Sequence, residues 1–228
     1  MGKNDNGNNG RTELVFVVDR SGSMGGLESD TIGGFNSMLS KQRTIAGECR
    51  GTTLLFDHRI ETLHNHLDIR EVNDLTSRDY WVRGSTALLD AIGLAIDRMI
   101  VTQRHTAAAY RAQHVLFVII TDGYENASRR YSLHQIKQMI TYERERYHWE
   151  FVFLGANIDA EQTAGDFGIS PRCATDFHAD GQGIKASFEA VACAATAVRG
   201  GADLDDLSAP DFLGGVRDDY RSRRRMKR

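Results

Sequence analysis

The sequence predicts an α/β chain: a doubly wound, mostly parallel central sheet with one antiparallel edge strand and helices on both faces. Three observations carry that expectation. Short apolar runs rich in Val and Ile alternate with segments of helical periodicity, the pattern of strands buried on both faces between crossover helices. Two of those runs stop abruptly at an Asp, Asp19 and Asp122. Two more strand-like segments are separated only by Asp57 and His58, which fits a tight antiparallel hairpin at a sheet edge.

Taken in order, residues 14–18 (LVFVV) read as the first strand. Ile32, Phe35 and Leu39 line one face of a first helix, weakened in its first half by Gly33 and Gly34. Residues 52–56 (TTLLF) and 59–67 (RIETLHNHL) form the hairpin. Leu88, Ile92, Ile96 and Met99 give a second helix at 3.6-residue spacing. Residues 114–121 (HVLFVIIT) repeat the design of the first strand. Leu133, Ile136, Ile140 and Tyr147 mark a third helix, opened by Ser132 with Gln135 three residues on, a capping-box pattern. Residues 150–154 (EFVFL) are another central strand, with Phe151 and Phe153 on one core face. Asp159 with Gln162 starts a short fourth helix ending near Gly168. Ile184, Phe188, Val191 and Val198 form a fifth, closed by Gly200 and Gly201.

The domain is expected over residues 12–200, preceded by a polar, disordered tail (1–11) and followed by a tail (201–228) that is acidic, then basic, and poorly packed. The chain's 228 residues suffice for a sizeable core, and 41% apolar with 26% charged residues is ordinary for a soluble protein. A net charge of -3 gives no global field toward nucleic acid or anionic membrane. No apolar run approaches the ~18 residues of a spanning helix, and the polar opening carries neither a signal-peptide pattern nor, with Asn6, a myristoylation pattern. Cys49, Cys173 and Cys193 are odd in number and lack a CxxC, which fits buried thiols of a cytoplasmic protein.

In an open parallel sheet, ligands sit beyond the carboxyl ends of strands, where strand order reverses. Asp19 ends one such strand and is followed by Ser21 and Ser23; Asp122 ends another; Thr86 stands in Gly84-Ser85-Thr86 before the second helix. All five are oxygen donors suited to a hard cation such as Mg²⁺. Two carboxylates neutralise a divalent ion, and three hydroxyls add neutral donors.

These residues resemble the von Willebrand factor A-type family and its metal-ion-dependent adhesion site. The family pattern is DxSxS after the first strand, a Thr in a later loop and an Asp after the fourth strand. Here Asp19, Ser21 and Ser23, extended by Met24 and Gly25, match the first part; Thr86 within GSTALLDAI and Asp122 within ITDG match the rest. The resemblance spans roughly residues 12–200. It implies a Rossmann-like fold and a bound Mg²⁺, with Mn²⁺ or Ca²⁺ as substitutes. It further implies that Ser21, Ser23 and often Thr86 coordinate directly while one or both Asp act through water. A protein partner's acidic side chain then completes the coordination, and no nucleic acid or membrane is involved. Within the family the chain looks like stand-alone cytoplasmic bacterial members, some associated with tellurium resistance.

Other readings were open to single residues. Either Asp alone could cap a helix. Ser23 as the nucleophile of a hydrolase elbow needs Gly at 21, where Ser stands. A phosphatase with Asp19 as nucleophile needs a second Asp where Ser21 stands. No P-loop pattern occurs, and no His or Lys lies in the three loops to act as general base. The expectation is therefore a binding module and not an enzyme, with a metal-dependent hydrolase or a subunit of an ATPase- or stress-linked complex as alternatives. His64 and His66 are expected to share one solvated face of the edge strand, Glu125 and Asn126 to be either rim or plain loop, and the basic end (RSRRRMKR) to be solvated.

Overall fold

The computed structural model describes residues 10–226. In chain order it contains β1 (Thr12–Asp19), α1 (Glu28–Thr44), β2 (Cys49–Phe56), β3 (Ile60–Asp68), α2 (Leu88–His105), β4 (His114–Asp122), α3 (Leu133–Tyr147), β5 (Glu150–Ala156), α4 (Ala160–Asp166), β6 (Ala174–Asp176), α5 (Gly181–Arg199) and α6 (Gly214–Met226). The sheet order is β3-β2-β1-β4-β5-β6. Only β3 runs antiparallel to its neighbour. The chain winds outward from β1 to β3, returns through α2 to β4 on the other side of β1, and winds outward again. Strand order therefore reverses between β1 and β4, and Asp19 and Asp122 stand at that reversal.

Every residue of β1 is buried, as is all of β4 after His114. This follows from helices covering both faces. On one face α1 packs against α5. Phe16 meets Phe35 edge-on at 5.4 Å between centroids, and Phe35 meets Phe188 at 6.3 Å. The helix runs unbroken through Gly33 and Gly34, and Gly34 has a packing role: a Cβ there would lie 2.4 Å from the Phe188 ring. On the other face α2 packs on β1 and β2, with α3 beside it. Ser132 and Gln135 form the full capping box of α3, and Asp159 caps α4 by accepting from the Gln162 N–H at 2.9 Å.

The structure departs from expectation at several places. The hairpin loop has three residues, 57–59, because β3 starts at Ile60. A sixth strand, β6, is only three residues long and too short to show periodicity. Leu133 and Tyr147 are 44% and 53% exposed, off the buried stripe of Ile136, Ile140 and Glu143. Cys193 is exposed because the inner face of α5 is set by Val191, Ala194, Ala195 and Val198; Cys49 and Cys173 are buried, and all three thiols are free. His64 and His66 do not share a face. The β2–β3 register shifts around Thr53, and His66 adopts φ 56°, a bulge that turns one side chain over. His64 is buried with Nδ1 3.1 Å from Thr53 Oγ1, and His66 lies 2.9 Å from Glu13.

The segment expected as a poorly packed tail is ordered onto the domain. Leu204, Leu213 and Val216 are buried, and α6 packs against β6 and α5. The Arg217 guanidinium donates to the Ala174 carbonyl of β6 at 3.1 Å and to the Pro171 and Arg172 carbonyls. Its acidic composition had masked three isolated apolar anchors. Of the expected N-terminal tail, residues 1–9 lie outside the described residues, as do Lys227 and Arg228 of the basic end. Among the described residues, no helix is long and apolar enough to cross a membrane.

Candidate metal centre

The end of β1 places Asp19 where the chain must leave the sheet, and its carboxylate organises the exit. Oδ1 accepts from the Ser21 N–H at 2.6 Å, folding the loop back. Oδ2 accepts from Thr121 Oγ1 at 2.7 Å and from the Asp122 N–H at 3.4 Å, joining the ends of β1 and β4. Tyr80 Oη donates to the Asp19 carbonyl at 2.5 Å. A 3-10 turn over Gly22–Met24 follows, with Met24 buried as an anchor.

The hydroxyls converge on this loop. Ser21 Oγ is 3.0 Å from Ser23 Oγ, and Thr86 Oγ1 donates to Ser21 Oγ, also at 3.0 Å. The Thr86 loop is tied down by Gly22 N–H to the Gly84 carbonyl at 3.1 Å and by Ala87 N–H to the Asp57 carbonyl at 2.9 Å. The loop after β4 closes the third side. Asn126 Oδ1 accepts from the Thr86 N–H at 2.9 Å, and the Asn126 N–H returns a bond to the Thr86 carbonyl at 3.0 Å. A Cβ on Gly123 would lie 3.3 Å from Ser23 Oγ, so this loop passes close over the serine. Glu125 caps α2 through the Leu89 N–H and its own loop through Ala127 and Ser128. Glu125 and Asn126 are thus supports of the Thr86 loop.

Asp19, Ser21, Thr86 and Asp122 are buried, while Ser23 is exposed. The cluster therefore opens to solvent over Ser23. Burial pushes the Asp19 carboxyl above the usual range, against the lowering by its hydrogen bonds from Thr121 and Ser21. Burial likewise raises Asp122, and the Asp19 charge adds to it while a bond from Asn157 opposes it. The adjacent Arg20 does not compensate them. It is 1% exposed and turned away, pairing with Asp57 and Glu61, with its guanidinium 5.6 Å from the Trp81 ring. Arg83 joins the same network, 2.7 Å from Asp57 and 4.3 Å over Trp81. Among the described residues no basic side chain forms an ion pair with Asp19 or Asp122.

Two buried carboxylates without a counter-charge are costly unless a cation neutralises them. The donors beside them are hydroxyl oxygens, and no described group of three His, Cys, Asp or Glu side chains offers another metal-holding set. This all-oxygen donor set fits a hard divalent cation. All five residues singled out in the sequence thus meet at one sheet edge. Asn157 and Tyr80 were missed. Asn157, at φ 55° just past β5, donates from Nδ2 to Asp122 Oδ1, and its signal was a polar residue at the carboxyl end of the third central strand.

No protein-family model matches the chain, and no curated protein matches it. Solved structures do match. The manganese-loaded TRAP protein of Plasmodium vivax aligns with TM-score 0.57 and 17% identity, over 78% of this chain and 72% of that one. Proximal thread matrix protein 1 of the mussel byssus, with a zinc-occupied MIDAS motif, aligns with TM-score 0.55 and 13% identity, over 82% of this chain and 46% of that one. The PilB minor pilin of Streptococcus sanguinis aligns with TM-score 0.56 and 12% identity, over 88% and 64%. This chain thus spans less than half of the mussel protein. The fold is the von Willebrand factor A-type, Rossmann-like fold of these neighbours.

Proposed function

We propose that this chain is a metal-dependent protein-binding module. Asp19, Ser21, Ser23, Thr86 and Asp122 would hold a divalent cation, Mg²⁺ foremost, and a partner's Asp or Glu carboxylate would complete its coordination. The bound cation supplies a positive centre for that carboxylate. The chain's own residues do the rest. The Asp19 carboxylate locks the loop and joins two strand ends, Asn126 fixes the Thr86 backbone, and Asn157 orients Asp122. Ser23 marks the open side by which a partner approaches.

One observation carries this reading: two buried, uncompensated carboxylates and three hydroxyls meet at the point where strand order reverses. Binding is favoured over turnover because Ser21 Oγ has only the Ser23 and Thr86 hydroxyls and the Asp19 carboxylate as partners among the described residues, with no imidazole or ammonium beside it. We place the protein in the cytoplasm on its three free thiols. Affinity capture tests the reading, with wild type and Asp122→Ala compared in Mg²⁺ and in chelator. A partner retained only by wild type with Mg²⁺, and released by mutating one of its own acidic residues, supports it. Partners retained equally with chelator overturn it.

A further inference from the structure

A second cavity lies at the opposite pole, beneath the amino ends of β4 and β5. It encloses about 200 Å³ between the last turns of α2 and α3. His148, in the left-handed region at φ 55°, ends α3 and turns the chain so that Trp149 stacks on Phe117 at 5.5 Å between centroids. Trp149, with Tyr142 and Tyr147, gives the cavity an aromatic wall.

Its polar lining is unusual. Glu143 continues the buried stripe of α3 after Ile136 and Ile140, and it is 4% exposed. Among the described residues its carboxylate has no hydrogen-bond or ion-pair partner. Burial raises its pKa, and the nearby Arg104 charge opposes that rise. Arg104 is exposed on α2, lines the same cavity, and likewise has no described partner for its guanidinium. One acid, Glu143, and two bases, Arg104 and Arg111, thus line one small space. Arg111 Nε donates to the Thr106 carbonyl at 3.0 Å, while Glu143 and Arg104 feel each other's charge and are unbonded. The Glu143 carboxylate oxygens are not sealed from solvent, so the cavity leaves them open to a cationic group of a ligand.

We propose that this cavity binds a free amino acid with a large apolar side chain, its ammonium on Glu143, its carboxylate on Arg104 and its side chain against Trp149. Each end of the zwitterion meets the opposite charge, and guanidinium–carboxylate pairing is a strong, directional contact. The aromatic wall favours both the ammonium and the apolar side chain. The volume lies below the ~300 Å³ at which pockets for drug-sized ligands begin, so the occupant is small. The site is separate from the metal centre and does not rest on it.

The test uses the full chain in chelator, with L-leucine and L-phenylalanine as probes, read by titration calorimetry and by tryptophan fluorescence. Saturable binding of at least one probe is expected. Its N-acetyl form, lacking the ammonium, and its amide, lacking the carboxylate, should each bind at least tenfold more weakly. Glu143→Gln and Arg104→Gln should each weaken the free amino acid by a similar factor. Arg104 is exposed, so its variant remains informative even if Glu143→Gln does not fold. Failure of both probes to saturate, equal binding of the blocked forms, or unchanged affinity in Arg104→Gln overturns the proposal.

Discussion

Replacing Asp122 by Asn removes one of the two buried charges at the strand-order reversal while keeping the shape of the side chain. The amide oxygen can still accept the bond from Asn157 that Asp122 Oδ1 accepts now. The fold should therefore survive, and the effect should fall on the cation. At ~4 Å and an effective dielectric of ~20, a unit charge attracts a divalent ion by about 8 kcal/mol gross. If only a third of that is realised, the loss is about 2.7 kcal/mol, or about a hundredfold in affinity. Wild type in Mg²⁺ at about 100 times its Kd gains about 2.7 kcal/mol of stability. For a domain of this size that is a rise in Tm of about 5–11 °C. At the same Mg²⁺ the variant sits near its own Kd and gains only about 0.4 kcal/mol, a rise of less than about 2 °C. Paired thermal melts in Mg²⁺ and in chelator measure both values. Equal metal shifts in the two proteins would refute the reasoning. So would a fall in the chelator Tm of the variant larger than the wild-type metal shift, since Asp122 would then be structural.

Burial, with Asp203 and Asp205 nearby, pushes the Glu150 carboxyl up to about 7. Between about pH 4.5 and 7 the folded state then holds more protons than the unfolded one, so stability falls as pH rises through that window and levels off above it. Glu150→Gln should flatten the decline and raise stability at pH 8 by up to about 3 kcal/mol, read from urea melts across pH; an unchanged pH profile would contradict the assignment. Gly34→Ala drives a methyl into the Phe188 ring and should destabilise by about 1–3 kcal/mol, where Gly33→Ala, with open space around it, should not. Ser132→Ala removes half of the capping box of α3 and should cost about 1 kcal/mol, seen as a lower urea midpoint at constant m-value.

The central strands were legible because burial on both faces leaves an uninterrupted apolar run, as in residues 14–18 and 114–121. The clustering of the five candidate residues was legible for a related reason: each stands at the carboxyl end of a strand or in the loop before a helix, where core packing does not dictate residue type. What depends on contacts between distant segments was hidden. Asn157 acquires its role only because β5 pairs with β4; its place just past a central strand is a local signal, but it does not name Asp122 as the partner. The positions of His64 and His66 turned on a bulge, which a strict two-residue alternation cannot register. Glu143 sat on the apolar stripe of α3 without being seen, since a lone acid among helical hydrophobics reads as polar face.

The covering of β6 by α6 has a consequence for the behaviour of the protein in solution. An unpaired strand edge is a template on which another chain can add, and β6 is the last strand on its side of the sheet. Arg217 occupies the Ala174 carbonyl and α6 lies alongside, so the stretch that composition marks as dispensable shields the molecule from its own copies. A chain cut after Gly201 keeps all five clustered oxygen donors and exposes a free backbone edge. Its failing would be colloidal, with growth of oligomers at rising concentration, while the cluster of Asp19, Ser21, Ser23, Thr86 and Asp122 stayed intact.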